Sequence, residues 1–249
     1  MSILCYHSLD PAWSSPMAVA PATFGAHAAW LARRRTVVPA EHAAAAMSPR
    51  GRLPRGMAAL TFDDGYSDLY DHALPLLARH ALPATVFLVS ATLTDGQAVD
   101  WVDDPPSREL KTLTDGQVLE MQEAGVAFGS HSRAHLDLTK LSYEECVADL
   151  KASREALEDL LRRRVALLAY PRGRHDAEVR RAAAAAGFET AFSLPETSEV
   201  VSRLSVPRAG VYPHNGTALL RLKTARSYVP ARMRLGRYRA AISPRSSVH

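Results

Sequence analysis

The chain has 249 residues, 47% of them hydrophobic, enough to bury one large core and within the size of a one-domain α/β barrel. Its formal net charge of +4 comes from arginines spread along the chain, which permits anionic partners without requiring them and offers no basic block that would mark a nucleic-acid binder. Cys5 and Cys146 are the only cysteines, too few for a disulfide framework and without metal-ribbon spacing, so both read as reduced, buried thiols.

The first ten residues contain neither a charged leader nor a long apolar run, and no later segment reaches membrane-spanning length. For a chain that begins at its native start, this predicts a cytoplasmic location. Strands are predicted at 3–6, 58–62, 85–89, 126–129, 165–170 and 189–192. Helices are predicted at 23–35, 67–80, 143–164 and 177–186, from apolar residues at three- and four-residue intervals. Thr23 and Ser142 are candidate N-caps, and Gly187 is a candidate helix stop. Segments 48–56 and 95–107 read as loops, punctuated by Pro and Gly. Alternation of strands and helices predicts an α/β fold with a largely parallel sheet. Residues 1–225 form the expected catalytic domain. Residues 226–249, with Arg at 232, 234, 237 and 239, form a basic C-terminal tail, either a surface helix or loose chain, that could touch a membrane surface.

Chemistry-bearing residues follow the predicted strands, where α/β barrels place their sites. Four clusters stand out: Leu4-Cys5-Tyr6-His7, Thr61-Phe62-Asp63-Asp64-Gly65-Tyr66, Ser130-His131-Ser132-Arg133-Ala134-His135 and Ala169-Tyr170-Pro171-Arg172-Gly173. Two carboxylates at the end of an apolar strand are costly unless paired, hydrogen-bonded or metal-bound. A turn at Gly65 could bring both to one opening, leaving one to ligate a metal and the other to take a proton; the alternative is a pair capping the next helix. The spacing of His131 and His135 would put both imidazoles on one face of a helical turn, a geometry that grips zinc, although an isolated pair of this kind is also a common surface feature. Together with the Asp pair, a metal site is the better reading.

The Thr61–Tyr66 motif, the His131/His135 pair and the Tyr170–Gly173 turn resemble carbohydrate esterase family four, the polysaccharide deacetylases, over roughly residues 1–212. The resemblance implies a distorted β/α barrel of about seven strands. It implies Asp64, His131 and His135 as ligands of one divalent metal, zinc first, with cobalt, nickel or manganese as alternatives, and Asp63 as general base. Family members commonly carry their general acid in a Leu-x-x-His motif near the C-terminus. Here Leu4–His7 supplies that pattern at the N-terminus, as in the circularly permuted branch that includes the poly-N-acetylglucosamine deacetylases. His7 is then the acid and Leu4 a lining residue for the acetyl methyl.

Two departures from the family pattern matter. Ala169 stands where many members carry a base-orienting arginine, and Arg208 could take over that duty or be a surface arginine at a strand end. Arg172 replaces the usual tyrosine after Pro171, although its backbone N–H could still serve an oxyanion. Tyr66, Trp101, Tyr170 and Arg172 complete the expected substrate-binding set, with Tyr66 and Trp101 as sugar platforms. A Cys5–His7 nucleophile lacks an orienting third group. The leading functional reading is an N-deacetylase for an N-acetylhexosamine in an oligosaccharide, glycolipid or glycosylated metabolite. Alternatives are another amide, formamide or cyclic-imide hydrolase on the same fold, and a non-catalytic binding protein.

Overall fold

The computed structural model describes residues 2–93, 96–195 and 199–242, with side chains through residue 235; residue 95 of the predicted loop, the side chains of Arg237 and Arg239 and residues 243–249 lie outside these. The strands are β1 (Ile3–Tyr6), β2 (Thr36–Val37), β3 (Met57–Phe62), β4 (Thr85–Leu88), β5 (Ala127–Ser130), β6 (Leu167–Ala169), β7 (Thr190–Ser193) and β8 (Val206–Gly210). All pairings between them are parallel, and β1 pairs with both β3 and β8. A seven-stranded barrel therefore closes in the order β1-β3-β4-β5-β6-β7-β8, with β2 attached to β3 on its outside. This is the (β/α)7-type barrel that the sequence resemblance implies.

Helices α1 (Pro21–Arg34), α2 (Ala40–Ala45), α3 (Leu74–Arg79), α4 (Asp115–Glu123), α5 (Tyr143–Leu161), α6 (Ala177–Ala185), α7 (Thr217–Lys223) and α8 (Tyr228–Ile242) accompany the strands. Ser142 and Glu145 form a reciprocal capping box at the start of α5. The same device, Thr114 with Gln117, starts α4, a helix absent from the prediction. Helix α1 begins at Pro21 instead of behind a Thr23 cap, because the fixed φ of proline suits a first helical turn. The predicted 67–80 helix opens with a π turn at Leu69–Ala73 ahead of α3, where Pro75 lacks the N–H that would continue the regular pattern. Val229 and Met233 of α8 are buried in the main core.

Strand alternation sorts the barrel into two apolar layers. Outward residues such as Leu4, Tyr6, Leu60, Phe62, Val86 and Leu168 pack under the helices. Inward residues Ile3, Ala59, Phe87, Leu167, Phe192 and Val206 fill the barrel, with Ala40 and Ala43 of α2 closing its N-terminal end. Burying each Phe contributes roughly 1.5–3 kcal/mol. Gly129 permits the packing of Phe87, because a Cβ there would lie 2.7 Å from that ring and 2.9 Å from the Leu167 carbonyl oxygen. With the lower interior filled by hydrocarbon, polar side chains are left to the upper, C-terminal end.

Candidate metal centre and its cavity

The side chains following β1, β3 and β5 converge on a cavity of about 370 Å³ lined by His7, Met17, Asp63, Asp64, Tyr66, Trp101, Val102, Asp103, Asp104, His131, His135, Arg172 and Leu194, with Pro16 at its rim. Asp63 continues the alternation of β3 and points inward, and its N–H still donates to the Tyr6 carbonyl at 3.0 Å. Asp64 would then point outward, but it and Gly65 both adopt left-handed φ, 68° and 66°, and the chain turns back toward the opening. Glycine suits 65 because of its left-handed φ, and a Cβ there would also push Leu88 Cδ2, 2.6 Å away, aside.

Asp64 Oδ1 is buried and lies 3.4 Å from His131 Nε2 and 3.3 Å from His135 Nε2, yet it makes no hydrogen bond among the described residues. His131 Nδ1 is 2.8 Å from the Ala169 carbonyl oxygen and so carries a proton, which leaves Nε2 as the ring nitrogen that faces Asp64. Two bonds of about 2.1 Å at a tetrahedral angle separate their ligand atoms by about 3.4 Å, so one small divalent ion fits all three. Burial raises the Asp64 carboxyl, but the two histidines outweigh it and hold it well below the usual carboxylate range. The histidines do not share a helical turn, as the sequence suggested. They sit on a strand-end loop bent by left-handed Ser132 and His135, and Ser132 N–H to Ser130 Oγ (3.1 Å) and His135 N–H to Ser132 Oγ (3.0 Å) fix its shape.

Beside this trio, Asp63 is gripped by Arg208, whose Nη1 donates to Oδ1 at 2.6 Å and Nη2 to Oδ2 at 2.7 Å. Arg208 is 1% exposed, inside the barrel over the rings of Phe87 and Phe192, so the surface-arginine reading is wrong and the base-orienting one matches its place. Burial would raise the Asp63 carboxyl; Arg208 and then His131 reverse that and bring it down to about 2. The carboxylate is ionised throughout the working range. Neither aspartate caps the following helix, since both side chains are engaged within the barrel mouth. Cys5 Sγ donates to Asp63 Oδ2 at 3.3 Å, and burial pushes its thiol well up, which removes it as a nucleophile. His7 lines the cavity with Nδ1 unpartnered, and burial lowers its pKa.

The substrate-binding set divides. Trp101 lines the cavity, stacked on His135 at 4.9 Å between centroids, but Tyr66 is no sugar platform. Tyr66 is 1% exposed and its ring packs edge-on against Trp13, with its hydroxyl buried and without a hydrogen bond among the described residues. Arg172 is exposed at the rim, left-handed at φ 56°. Leu4 and Tyr170 do not line the cavity: alternation turns both to the outer layer, where Tyr170 Oη donates to the Leu204 carbonyl at 2.9 Å. Sequence reading missed Met17, Val102, Asp103, Asp104 and Leu194. Met17 and Val102 to Asp104 reach the cavity from loops clasped by Arg108–Asp10 and by Trp13 Nε1 donating to the Asp104 carbonyl at 2.8 Å, contacts with no local signature, and Leu194 reaches it from just beyond β7.

With the geometry in hand, comparisons with known proteins place the chain. A Poly-beta-1,6-N-acetyl-D-glucosamine N-deacetylase of Staphylococcus epidermidis is 28% identical over 59% of this chain and 51% of its own length. The Bacillus subtilis (strain 168) protein YxkH is 28% identical over 76% of this chain and 62% of its own, so the chain spans less than two thirds of either relative. The barrel superposes on the Streptococcus pyogenes deacetylase PplD, solved in complex with acetate, with a TM-score of 0.76 at 24% identity, covering 90% of this chain and 98% of that one. For IcaB from Ammonifex degensii the TM-score is 0.71 at 22% identity, over 93% and 96%. At these identities the solved structures establish the fold. The family model described as polysaccharide deacetylase matches residues 50–191, more than half of the sequence, and the chain belongs to that family.

Proposed function

We propose that the protein is a metal-dependent hydrolase that removes the N-acetyl group from an N-acetylhexosamine carried by an oligosaccharide, glycolipid or glycosylated metabolite. One observation carries this reading: Asp64, His131 and His135 converge without hydrogen bonds to Asp64 Oδ1, next to an aspartate locked by a buried arginine and a histidine with a free ring nitrogen. The donor set of one carboxylate and two imidazoles suits zinc, with cobalt, nickel or manganese as substitutes. When bound there, the metal would polarise the acyl carbonyl and acidify a water.

The protein's own residues divide the remaining work. Asp63, kept ionised and oriented by Arg208, takes the proton of the attacking water. His7 delivers a proton to the departing amine, and the Arg172 backbone N–H adds a donor for the oxyanion. Leu194, Val102 and Met17 give the cavity an apolar side against which an acetyl methyl can rest. Because the chain covers little more than half of its curated relatives, a formamide or another amide remains the second substrate class for the same site.

A mass-spectrometric screen of N-acetylated sugars, sugar nucleotides and glycosylated metabolites should show loss of an acetyl group with the wild-type protein. His7→Ala should cut that amide hydrolysis by roughly a hundredfold while largely sparing aryl acetates, whose leaving groups depart without an acid. Equal rates of the variant and wild type on both substrate types would remove His7 from the reaction.

A further inference from the structure

Beside the candidate metal centre lies a second set of ligand atoms. Cys5, His7 and Asp63 each offer one, a thiol sulfur, a ring nitrogen and a carboxylate oxygen, all within 4.8 Å of one another and all buried. Cys5 and His7 share the inward face of β1, and the register of β1 against β3 pairs Cys5 with Thr61, two residues before Asp63. His7 is 8% exposed, and its Nδ1 has no partner. The mechanism above uses His7 and Asp63 but gives Cys5 no task.

We propose that Cys5, His7 and Asp63 form a second cation site, selective for a thiophilic ion, which blocks the reaction when filled. The blocking half rests on the roles assigned above to Asp63 and His7; the binding half does not. The ion takes the place of the thiol proton: a divalent cation and the Cys5 S–H give a sulfur–metal bond and release one proton, with no change of oxidation state. The spacing suits this exchange. Cys5 Sγ and Asp63 Oδ2 are 3.3 Å apart, and metal bonds of about 2.3 Å to sulfur and about 2.1 Å to oxygen at a near-tetrahedral angle place these atoms about 3.6 Å apart. His7 and Asp63 line the open cavity, so an ion arriving there meets two of its three ligands at once.

Arg208 makes the site selective. Its guanidinium already balances the Asp63 carboxylate, so an entering cation is compensated only by the thiolate it creates. Ions with little affinity for sulfur, such as magnesium and calcium, gain too little there, whereas cadmium and excess zinc gain a strong bond. Filling the site ties up both the base and the acid.

The test is a titration of the intact protein with cadmium, following the ultraviolet absorption of the sulfur–cadmium bond and the 113Cd resonance. With protein already carrying one zinc per chain, the first added equivalent of cadmium should give a thiolate band, with a resonance moved into the range of sulfur ligation. Cys5→Ser, which keeps a hydroxyl donor toward Asp63, should abolish the band, and Cys146→Ser should retain it. Deacetylation by the zinc-loaded wild type should fall at least about tenfold on adding that equivalent of cadmium, and this fall should vanish in Cys5→Ser. Absence of sulfur ligation at any cadmium loading of the wild type, or a band that disappears with Cys146→Ser, would overturn the site. A band with undiminished turnover would overturn the blocking claim. Failure to find any N-acetylated substrate would count against the proposed function alone, since the cadmium signals are read without turnover.

Discussion

At the N-terminal end of the barrel a cavity of about 530 Å³ is lined by Met47, Leu167, Thr190, Val206 and their neighbours; at the C-terminal end the smaller cavity, about 370 Å³, holds the candidate site. The strands are the same, but the satisfaction of polar groups differs. At the lower end Glu189 is paired with Arg164 and Arg203, and among the described residues no lining side chain buries an unpartnered polar atom. At the upper end His7 Nδ1, Asp64 Oδ1, Tyr66 Oη, Trp101 Nε1 and His135 Nδ1 are all buried without partners. Unpaired buried groups cost stability and persist where a ligand completes them, so unmet hydrogen-bonding capacity, and not volume, marks the working end.

Substitutions at the two ends should therefore fail differently. The largest effect is expected for Arg208→Met, which leaves Asp63 buried without its cation. Chemical denaturation should show a loss of roughly 3–5 kcal/mol, with turnover abolished. The pH dependence should reverse as well. In the wild type Asp63 has a depressed pKa, so its contribution is present above the ordinary carboxylate value and is lost as pH falls toward about 2. In the variant, stability should instead rise on acidification. A variant as stable as the wild type at neutral pH would mean that Asp63 is not held as described.

At the lower end Ile3→Val removes one methylene from hydrocarbon packing and should cost about 0.5–1.5 kcal/mol, with metal content and turnover unchanged. A change in metal content would show that the two ends are coupled. The smallest stability effect belongs to Tyr66→Phe, which deletes a hydroxyl with no protein partner. Melting should stay within about 1 kcal/mol of the wild type, or improve, and a contact of the hydroxyl with the substrate predicts a fall in kcat/KM of about tenfold or more. Unchanged kinetics would make Tyr66 a packing residue.

The upper end was also the more legible in the sequence. Asp63, Asp64, His131 and His135 are recognisable because they follow apolar strands, and polar residues in such places need a reason. Arg208 was visible as a residue but not as part of a strand, since Pro207, Arg208 and Gly210 break the apolar run of β8; only closure of the barrel against β1 reveals it. Leu4 and Tyr170 were misplaced although strand alternation, which puts Cys5 and His7 on one face, sends Leu4 to the other. Helix α4 carried a capping-box signal at Thr114 and Gln117 that the loop assignment upstream obscured. The loop residues Met17 and Asp103 reach the cavity on segments held by tertiary clasps that no local pattern encodes.

The central claim, that two adjacent carboxylates have been given different work by opposite partners, is tested most directly by elemental analysis of Asp63→Asn and Asp64→Asn beside the wild type. The account predicts one divalent ion per chain in the wild type and in Asp63→Asn, the latter without turnover, and loss of the ion in Asp64→Asn. Equal metal loss in the two variants, or full metal in Asp64→Asn, would contradict it.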